Sequence, residues 1–166
     1  FIRNMNFQAA NRTSEELAEE IFHDVEKRKQ GMVRHRFFGG STPKGAMDFV
    51  PSLIQDVDKR YFIKGRPGSG KSTMLRKLLK QAEELELEVE VYHCGFDPDS
   101  LDMLLFPEIS VCIFDSTAPH EYEPEREGDH IVDMYQKTIR LGTDEDYEDK
   151  LQDIKVRYKR MINQGI

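Results

Sequence analysis

Apolar and polar positions follow a helical period near the start of the chain. Spacings of three and four residues form one apolar stripe, and Thr13 followed three residues later by Glu16 indicates a capping box. The stripe consists of Leu17, Ala18, Ile21, Phe22 and Val25. This pattern predicts a packing helix that carries no chemistry of its own.

The pattern then becomes extended. Residues 32–38 alternate between two faces, which predicts an edge strand, and the glycine-rich residues 39–45 predict a loop. A second short strand is predicted at residues 46–50, followed by one or two helical turns at residues 51–57. Residues 61–64 form a short apolar strand that runs into a glycine-rich turn.

The middle of the chain predicts a helix and two further strands. A helical stripe follows the turn and consists of Leu75, Leu78, Leu79, Ala82 and Leu85. Residues 88–94 alternate as a strand, which ends at residues 95–100, and these are expected to open a short helix. The near-continuous apolar run at residues 110–115 is typical of a parallel strand buried on both faces. No clear fourth or fifth strand is predicted after Asp115.

The end of the chain predicts a long helix from Thr143 onward. Its apolar residues recur at spacings of four and three, and they are Tyr147, Leu151, Ile154, Tyr158 and Met161. Such a stripe covers a sheet or pairs with another helix, so it is a candidate dimer or interdomain seam.

Together these elements predict an α/β protein, a three-layer sandwich with a mostly parallel sheet and flanking N- and C-terminal helices. We divide the chain into a helical linker at residues 1–31, a central module at residues 32–142 that contains the glycine-rich turn, and a C-terminal helix at residues 143–166 that packs on the module or on a partner.

Composition narrows the function classes. The 166 residues are 38% hydrophobic and 33% charged, which suits one globular domain with its own core. The formal charge of −7 argues against nucleic acid as a partner, because phosphate backbones require clustered Lys and Arg. No run is apolar enough for a bilayer, and no signal peptide is visible. Cys94 and Cys112 lie in strand-like runs, which favours reduced thiols and a cytoplasmic location.

The strongest chemical signal is the turn that follows the apolar strand. Gly65 to Ser72 fill the pattern G-x-x-x-x-G-K-[ST], between a predicted strand and a predicted helix. Glycines allow backbone N–H groups to approach a phosphate, Lys71 would reach the β- and γ-phosphates, and the Ser72 hydroxyl would bind Mg²⁺. The predicted nucleotide-binding residues are Gly65, Arg66, Pro67, Gly68, Ser69, Gly70, Lys71, Ser72 and Thr73. The alternative is a simple glycine turn with a capping serine.

Asp115 is the second predicted magnesium residue, beside Ser72. It ends a buried strand after a complete phosphate-binding motif, where such a carboxylate holds Mg²⁺ directly or through water. The alternative is an aspartate that ends the strand in a turn. The next residue is Ser116 and not the glutamate that many ATPases use to polarise water, so hydrolysis does not follow from the motif.

Three further residues are candidates for catalysis beside Lys71. Asp97 follows a strand at the expected ligand edge of the sheet, as a catalytic base or, before Pro98, as a helix cap. His120 could orient a water or a hydroxyl nucleophile, and the alternative is a solvated loop histidine. Arg126 lies in a charged loop that could close as a lid over the γ-phosphate or could be plain surface.

Three strings together resemble a little-characterised family of tandem P-loop ATPase-like proteins from Bacillus-type bacteria. They are Y-F-I-K-G-R-P-G-S-G-K-S-T from Tyr61, V-Y-H-C-G-F-D-P-D-S-L-D from Val91, and F-D-S-T-A-P-H from Phe114. The resemblance spans most of the chain, which is similar to the second of two phosphate-loop modules together with the preceding linker. It implies a P-loop NTPase fold, ATP as the nucleotide, and a second module as a possible partner.

Three hypotheses follow. The chain is a Mg-ATP-binding NTPase whose turnover drives a conformational change, a kinase that passes the γ-phosphoryl group to a small hydroxyl compound with Asp97 as base, or a non-catalytic nucleotide-sensing or assembly module. The heptad-like tail favours the last of these and suggests a homo-oligomer or a second module as partner. No N-K-x-D string is present, which disfavours a guanine-specific GTPase.

Overall fold

The computed structural model describes residues 5–37, 39–43, 45–95, 97–118, 121–139 and 148–164. Its α-helices are α1 (Phe7–Phe22), α2 (Val50–Ile54), α3 (Lys71–Glu84), α4 (Met134–Thr138) and α5 (Glu148–Gln164). Its strands are β1 (Val33–Phe37), β2 (Gly39–Thr42), β3 (Gly45–Asp48), β4 (Lys59–Lys64), β5 (Val89–His93), β6 (Leu101–Phe106), β7 (Val111–Asp115) and β8 (Asp129–Asp133). A 3₁₀ turn (Pro107–Ile109) joins β6 to β7.

Six of these strands form the central sheet, in the order β1-β5-β6-β7-β4-β8. β6 runs antiparallel to both of its neighbours, and the other pairs in this sheet are parallel. β2 and β3 form a separate antiparallel hairpin. The prediction of an α/β protein with a mostly parallel sheet is therefore confirmed, and so is the edge position of β1.

Helices cover both faces of the sheet, as in a three-layer arrangement. On one face, α1 and α3 pack together, and their apolar stripes meet the sheet in one core. The buried stripe residues are Leu17, Ala18, Ile21 and Phe22 from α1 and Met74, Leu75, Leu78 and Ala82 from α3. On the other face, Val50 and Ile54 of α2 pack in a smaller core with Phe62 and Phe114. The predicted apolar stripes of α1 and α3 thus face the core.

The start of α1 differs from the predicted capping box. The helix begins at Phe7, and the Asn6 side chain accepts a hydrogen bond of 3.0 Å from the Ala9 N–H. Thr13 and Ser14 lie inside the helix and are buried. An Asn cap satisfies a first-turn donor as well as Thr does, so the helix begins after Asn6 and the predicted capping box at Thr13 was wrong.

Three further predictions of secondary structure were wrong. The short helix that residues 95–100 were expected to open is absent from the described residues, where a turn leads into β6 between β5 and β7, and the apolar residues of β6 other than Leu105 are buried. A strand does follow Asp115, because β8 pairs in parallel with β4 at the edge of the sheet. The glycine-rich stretch after β1, predicted as a loop, contributes to the β2–β3 hairpin.

The predicted C-terminal helix is present as α5. Ile154 and Met161 of its apolar stripe are exposed, and Tyr147 lies outside the described residues. Whether this stripe is a seam to a partner stays a prediction.

Candidate functional site

The glycine-rich segment joins the carboxyl end of β4 to the first residue of α3. Gly68 and Gly70 have φ angles of 82° and 90°, in the left-handed region that side chains disfavour. Gly70 is the N-cap of α3, and no side chain in the described part of the chain caps this helix. The first-turn N–H groups of a helix have no intrahelical partner, so this end of α3 offers donors and a positive dipole to an anion.

Close packing beneath the loop requires its first glycine. A Cβ on Gly65 would lie 2.7 Å from Ser69 Oγ and 3.1 Å from Met134 Cβ. Ser69 is fully buried, and Thr138 Oγ1 donates to its carbonyl over 3.2 Å. The Ser69 N–H donates to the Arg66 carbonyl over 3.1 Å, which closes the turn. The loop backbone is therefore supported from below by α4.

Lys71 and Asp115 meet at the centre of the site. Lys71 Nζ donates to the Gly65 carbonyl over 2.7 Å and lies 3.4 Å from Asp115 Oδ2. Asp115 is the last residue of β7, which pairs directly with β4 so that Ile63 lies opposite Asp115. Asp115 Oδ1 accepts hydrogen bonds of 3.1 Å and 2.5 Å from the Thr117 N–H and hydroxyl. The carboxylate is thus held in place beside the lysine.

Ser72 links the start of α3 to β6. Its Oγ accepts a hydrogen bond of 3.1 Å from the Leu101 N–H, at the first residue of β6. In the described residues there is no group of three or more His, Cys, Asp or Glu side chains that could hold a metal. A hydroxyl and a carboxylate are hard oxygen ligands, and Mg²⁺ takes few protein ligands because it keeps waters and binds substrate phosphates. Ser72 and Asp115 therefore fit Mg²⁺.

A cavity of about 640 Å³ lies over the loop, within the usual size range of ligand pockets. From the loop and the start of α3 it is lined by Pro67, Gly68, Gly70, Lys71, Ser72 and Thr73. The turn before β6, the start of β6 and the carboxyl end of β7 add Asp97, Ser100, Asp102, Asp115 and Thr117. The start of α1 and the residues just before it add Met5, Phe7, Ala10, Asn11 and Ser14. The cavity thus brings together residues from distant parts of the sequence.

Asp97 lies in this cavity but caps no helix. Its carbonyl accepts from the Ser100 N–H over 2.9 Å, and its Oδ1 accepts from the Asp99 N–H over 3.1 Å. The turn is anchored by the Pro98 carbonyl, which lies 2.6 Å from His93 Nδ1. The helix-cap interpretation is therefore wrong. The Asp97 carboxylate instead closes a turn beside the cavity that lies over the loop.

Asp102 lines the cavity, although it was not among the predicted site residues. It lies in β6, is buried, and lines the same cavity as Lys71. Because β6 runs antiparallel, its first residues lie at the carboxyl end of β7. The sequence signal that could have identified it is an acidic residue inside the apolar run Leu101–Phe106, because carboxylates are rarely buried unless they are paired or hydrogen-bonded.

The structure does not bring Arg126 to the loop. Its guanidinium donates to the carbonyls of Gln55 over 2.7 Å and Ile54 over 3.3 Å, and also to that of Val57. These carbonyls lie before the amino end of β4, whereas the loop follows its carboxyl end. Arg126 thus holds the start of the strand, and the lid interpretation fails for this side chain. His120 lies outside the described residues.

The segment after Asp115 is fastened to the end of β4. Lys64 Nζ donates to the Tyr122 carbonyl over 2.6 Å and to Glu123 Oε1 over 2.6 Å. Ser116 is fully buried, and its hydroxyl donates to the same carbonyl over 2.7 Å. Tyr122 donates to Asp48 Oδ1 over 2.7 Å, and burial together with this bond raises the pKa of the phenol. Residues 122 and 123 are thus fixed beside the site.

Comparisons with protein-family models, with curated proteins and with solved structures returned no match for this chain. None of the described helices combines the length and the apolar character needed to span a membrane. The chemistry of the site is therefore argued from its own geometry, and the family resemblance stays a prediction.

Proposed function

We propose that this chain is a P-loop protein that binds a magnesium nucleoside triphosphate at residues 65–73. The observation that carries the proposal is the position of Lys71, whose Nζ lies between the loop carbonyl of Gly65 and the Asp115 carboxylate, beneath a cavity of nucleotide size. An ammonium at the centre of a glycine turn and at the start of a helix supports phosphate binding. ATP is the expected nucleotide because of the family resemblance.

In this proposal, different residues would bind the phosphates and the metal ion. Lys71 would exchange the Gly65 carbonyl for phosphate oxygens, and the N–H groups at the start of α3 would donate to the same oxygens. Ser72 and Asp115 would hold Mg²⁺, which neutralises part of the phosphate charge when it is bound. Thr117 keeps the Asp115 carboxylate facing the lysine through the two hydrogen bonds described above.

For turnover, we propose an NTPase that couples binding or hydrolysis to a conformational change. An acceptor oxygen bonds to the γ-phosphorus, the bond to the β–γ bridging oxygen breaks, and the acceptor proton passes to a base. With water as acceptor the products are the diphosphate and inorganic phosphate. Asp97 and Asp102 are carboxylates of the described residues that line the cavity with Lys71 and supply candidate bases.

A kinase is the second candidate, and one observation favours it. Asp97 is exposed at the cavity and caps no helix, so its side chain is accessible to a hydroxyl substrate. A nucleotide-sensing or assembly module is the third, since Ser116 replaces the glutamate that many ATPases carry at that position.

Binding is tested by titrating Mg-ATP into the chain and into two lysine variants. Lys71→Ala should abolish binding, whereas Lys80→Ala, on the exposed side of the same helix, should leave it unchanged. Asp115→Asn should reduce the difference in affinity measured with Mg²⁺ and with a chelator. Equal affinity of the two lysine variants would refute the site.

Turnover is tested with ATP labelled at the γ-phosphate, with and without a small-molecule extract of cells. Labelled inorganic phosphate supports hydrolysis, a labelled small molecule supports the kinase, and binding without either product supports the sensing module. Loss of transfer in Asp97→Asn at an unchanged melting temperature would assign Asp97 as the base.

A further inference from the structure

The start of α1 forms one wall of the cavity, although its sequence predicts only a packing helix. Phe7, Asn11 and Ser14 are lining residues from successive turns of this helix, and Met5 precedes it. The Met5 methyl group lies against the loop, because a Cβ on Gly70 would be 2.7 Å from it. The wall therefore begins at the glycine-rich turn itself.

Backbone hydrogen bonds hold this wall in place. The Asn6 N–H donates to the Thr138 carbonyl over 2.7 Å, and Met5 pairs with Ile139 as an antiparallel bridge. Thr138 in turn donates through Oγ1 to the Ser69 carbonyl of the loop. A continuous path of hydrogen bonds thus connects the loop, the end of α4 and the first turn of α1, so the wall keeps its position relative to the phosphate site.

The cavity continues from the loop along α3. Its lining includes Lys71, Met74 and Lys77, and six residues of helix span about 9 Å. Of the candidate metal residues, Ser72 accepts a hydrogen bond from the first residue of β6, and Asp115 is the last residue of β7. A triphosphate held at Lys71, with its metal at Ser72 and Asp115, would have the α1 wall as a further surface of the same cavity for its nucleoside portion.

The chemistry of the wall suits a nucleoside. Met5 and the exposed ring of Phe7 provide apolar surface on which a base can stack. Lys77 Nζ donates to Asn11 Oδ1, and since an ammonium can only donate, the amide NH₂ of Asn11 is left as a donor. Donors beside an apolar surface match the acceptor atoms of a base or a ribose.

We propose that residues Met5, Phe7, Asn11 and Lys77 form the nucleoside subsite of this chain, with the base stacked on Phe7. This inference rests on the proposed function, because it assigns the non-phosphate part of the same ligand. It makes the first turns of α1 a specificity element for nucleotides over other polyphosphates.

The test compares Mg-ATP with Mg-tripolyphosphate, which carries the phosphates without a nucleoside. Phe7→Ala should weaken ATP binding by about tenfold, the usual effect of removing a stacking aromatic, and should leave tripolyphosphate affinity unchanged. Asn11→Ala should act in the same direction. Phe49→Ala is the matched control, because Phe49 is 60% exposed and Phe7 is 61% exposed, while only Phe7 lines the cavity.

The outcomes separate the two proposals. Loss of both ligands in Lys71→Ala combined with unchanged ATP affinity in Phe7→Ala would overturn the subsite and leave the phosphate site standing. An equal loss of both ligands in Phe7→Ala, with an unchanged melting temperature, would also overturn the subsite. Failure of the unmodified chain to bind either ligand would overturn the proposed function and the subsite with it.

Discussion

A buried ion pair at the amino end of β4 should make the stability of this protein depend on pH. Arg60 Nε and Nη2 donate to the two carboxylate oxygens of Asp129, each over 2.6 Å. The Asp129 side chain is 0% exposed and that of Arg60 is 10% exposed. The N–H groups of Glu125 and Arg126 donate to the same carboxylate over 2.8 Å and 3.1 Å. The charge on Asp129 is therefore fully hydrogen-bonded in the folded state.

The magnitude follows from the pKa of Asp129. The hydrogen bond with Arg60, opposed by burial and helped by the two N–H groups, lowers this pKa from 3.8 to about 2. A lowered folded-state pKa contributes stability above the unfolded pKa, and this contribution is lost as the pH falls from about 4 to about 2. The shift corresponds to about 2 kcal/mol of unfolding free energy.

Asp129→Asn tests this reasoning. At pH 7 the variant should lose about 3 kcal/mol, because it leaves the Arg60 guanidinium buried without a counter-charge. The measurement is urea denaturation of both proteins at several pH values. The difference between them should shrink by about 2 kcal/mol on acidification to pH of about 2.

The control is Asp153→Asn, which removes an exposed ion pair with Arg157 on α5 and should change stability by less than about 0.5 kcal/mol. Unfolding free energies of the Asp129 variant and the unmodified chain that differ by the same amount at every pH would refute the pKa argument. Equal unfolding free energies of Asp129→Asn and the unmodified chain at pH 7 would refute the stabilising role of the buried ion pair.

Three further outcomes are expected. Ser69→Ala should raise the unfolding free energy by about 1 kcal/mol, because the buried Ser69 hydroxyl has no hydrogen-bond partner among the described residues; a lower melting temperature would contradict this. Cys112 should resist alkylation at pH 8 in the folded protein while the half-buried Cys94 reacts, since burial raises the pKa of the Cys112 thiol to about 12; equal labelling rates measured by mass spectrometry would exclude it. Gly128→Ala should cost about 2 kcal/mol or more in urea denaturation, because φ is +90° and a Cβ would lie 2.3 Å from the Asp58 carbonyl oxygen.

The parts of the site that lie close together in sequence were predictable. The loop is a contiguous pattern, and its neighbours were correctly expected to be a strand and a helix. Asp115 was predicted to end a buried strand because it is the last residue of the apolar run at residues 110–115. The observed β7 ends at Asp115. Both inferences depend on local periodicity, which the surrounding fold did not override.

The parts that depend on distant contacts were not predictable in this way. The apolar run Leu101–Phe106 suits a buried helix or a buried strand, and its position between β5 and β7 decides for the strand. The sequence does not show at which end of the strands the Arg126 guanidinium lies. Its position is set by hydrogen bonds to carbonyls just before β4, such as that of Gln55. Asn11 and Lys77 are far apart in sequence and meet because α1 packs on α3.

The order of the strands explains why residues from several elements meet beside the loop. β7 lies directly beside β4, so the Asp115 carboxylate and the Lys71 ammonium are brought to 3.4 Å by main-chain pairing. β6 runs in the opposite direction, so the chain from Asp97 to Asp102 begins at the same edge and adds two carboxylates to the cavity. α4 returns beneath the loop and joins it to the start of α1 through Thr138. The acidic residues from β6 and β7 and the wall from α1 therefore line one cavity together with the loop, and hydrogen bonds through Thr138 join the loop backbone to that wall.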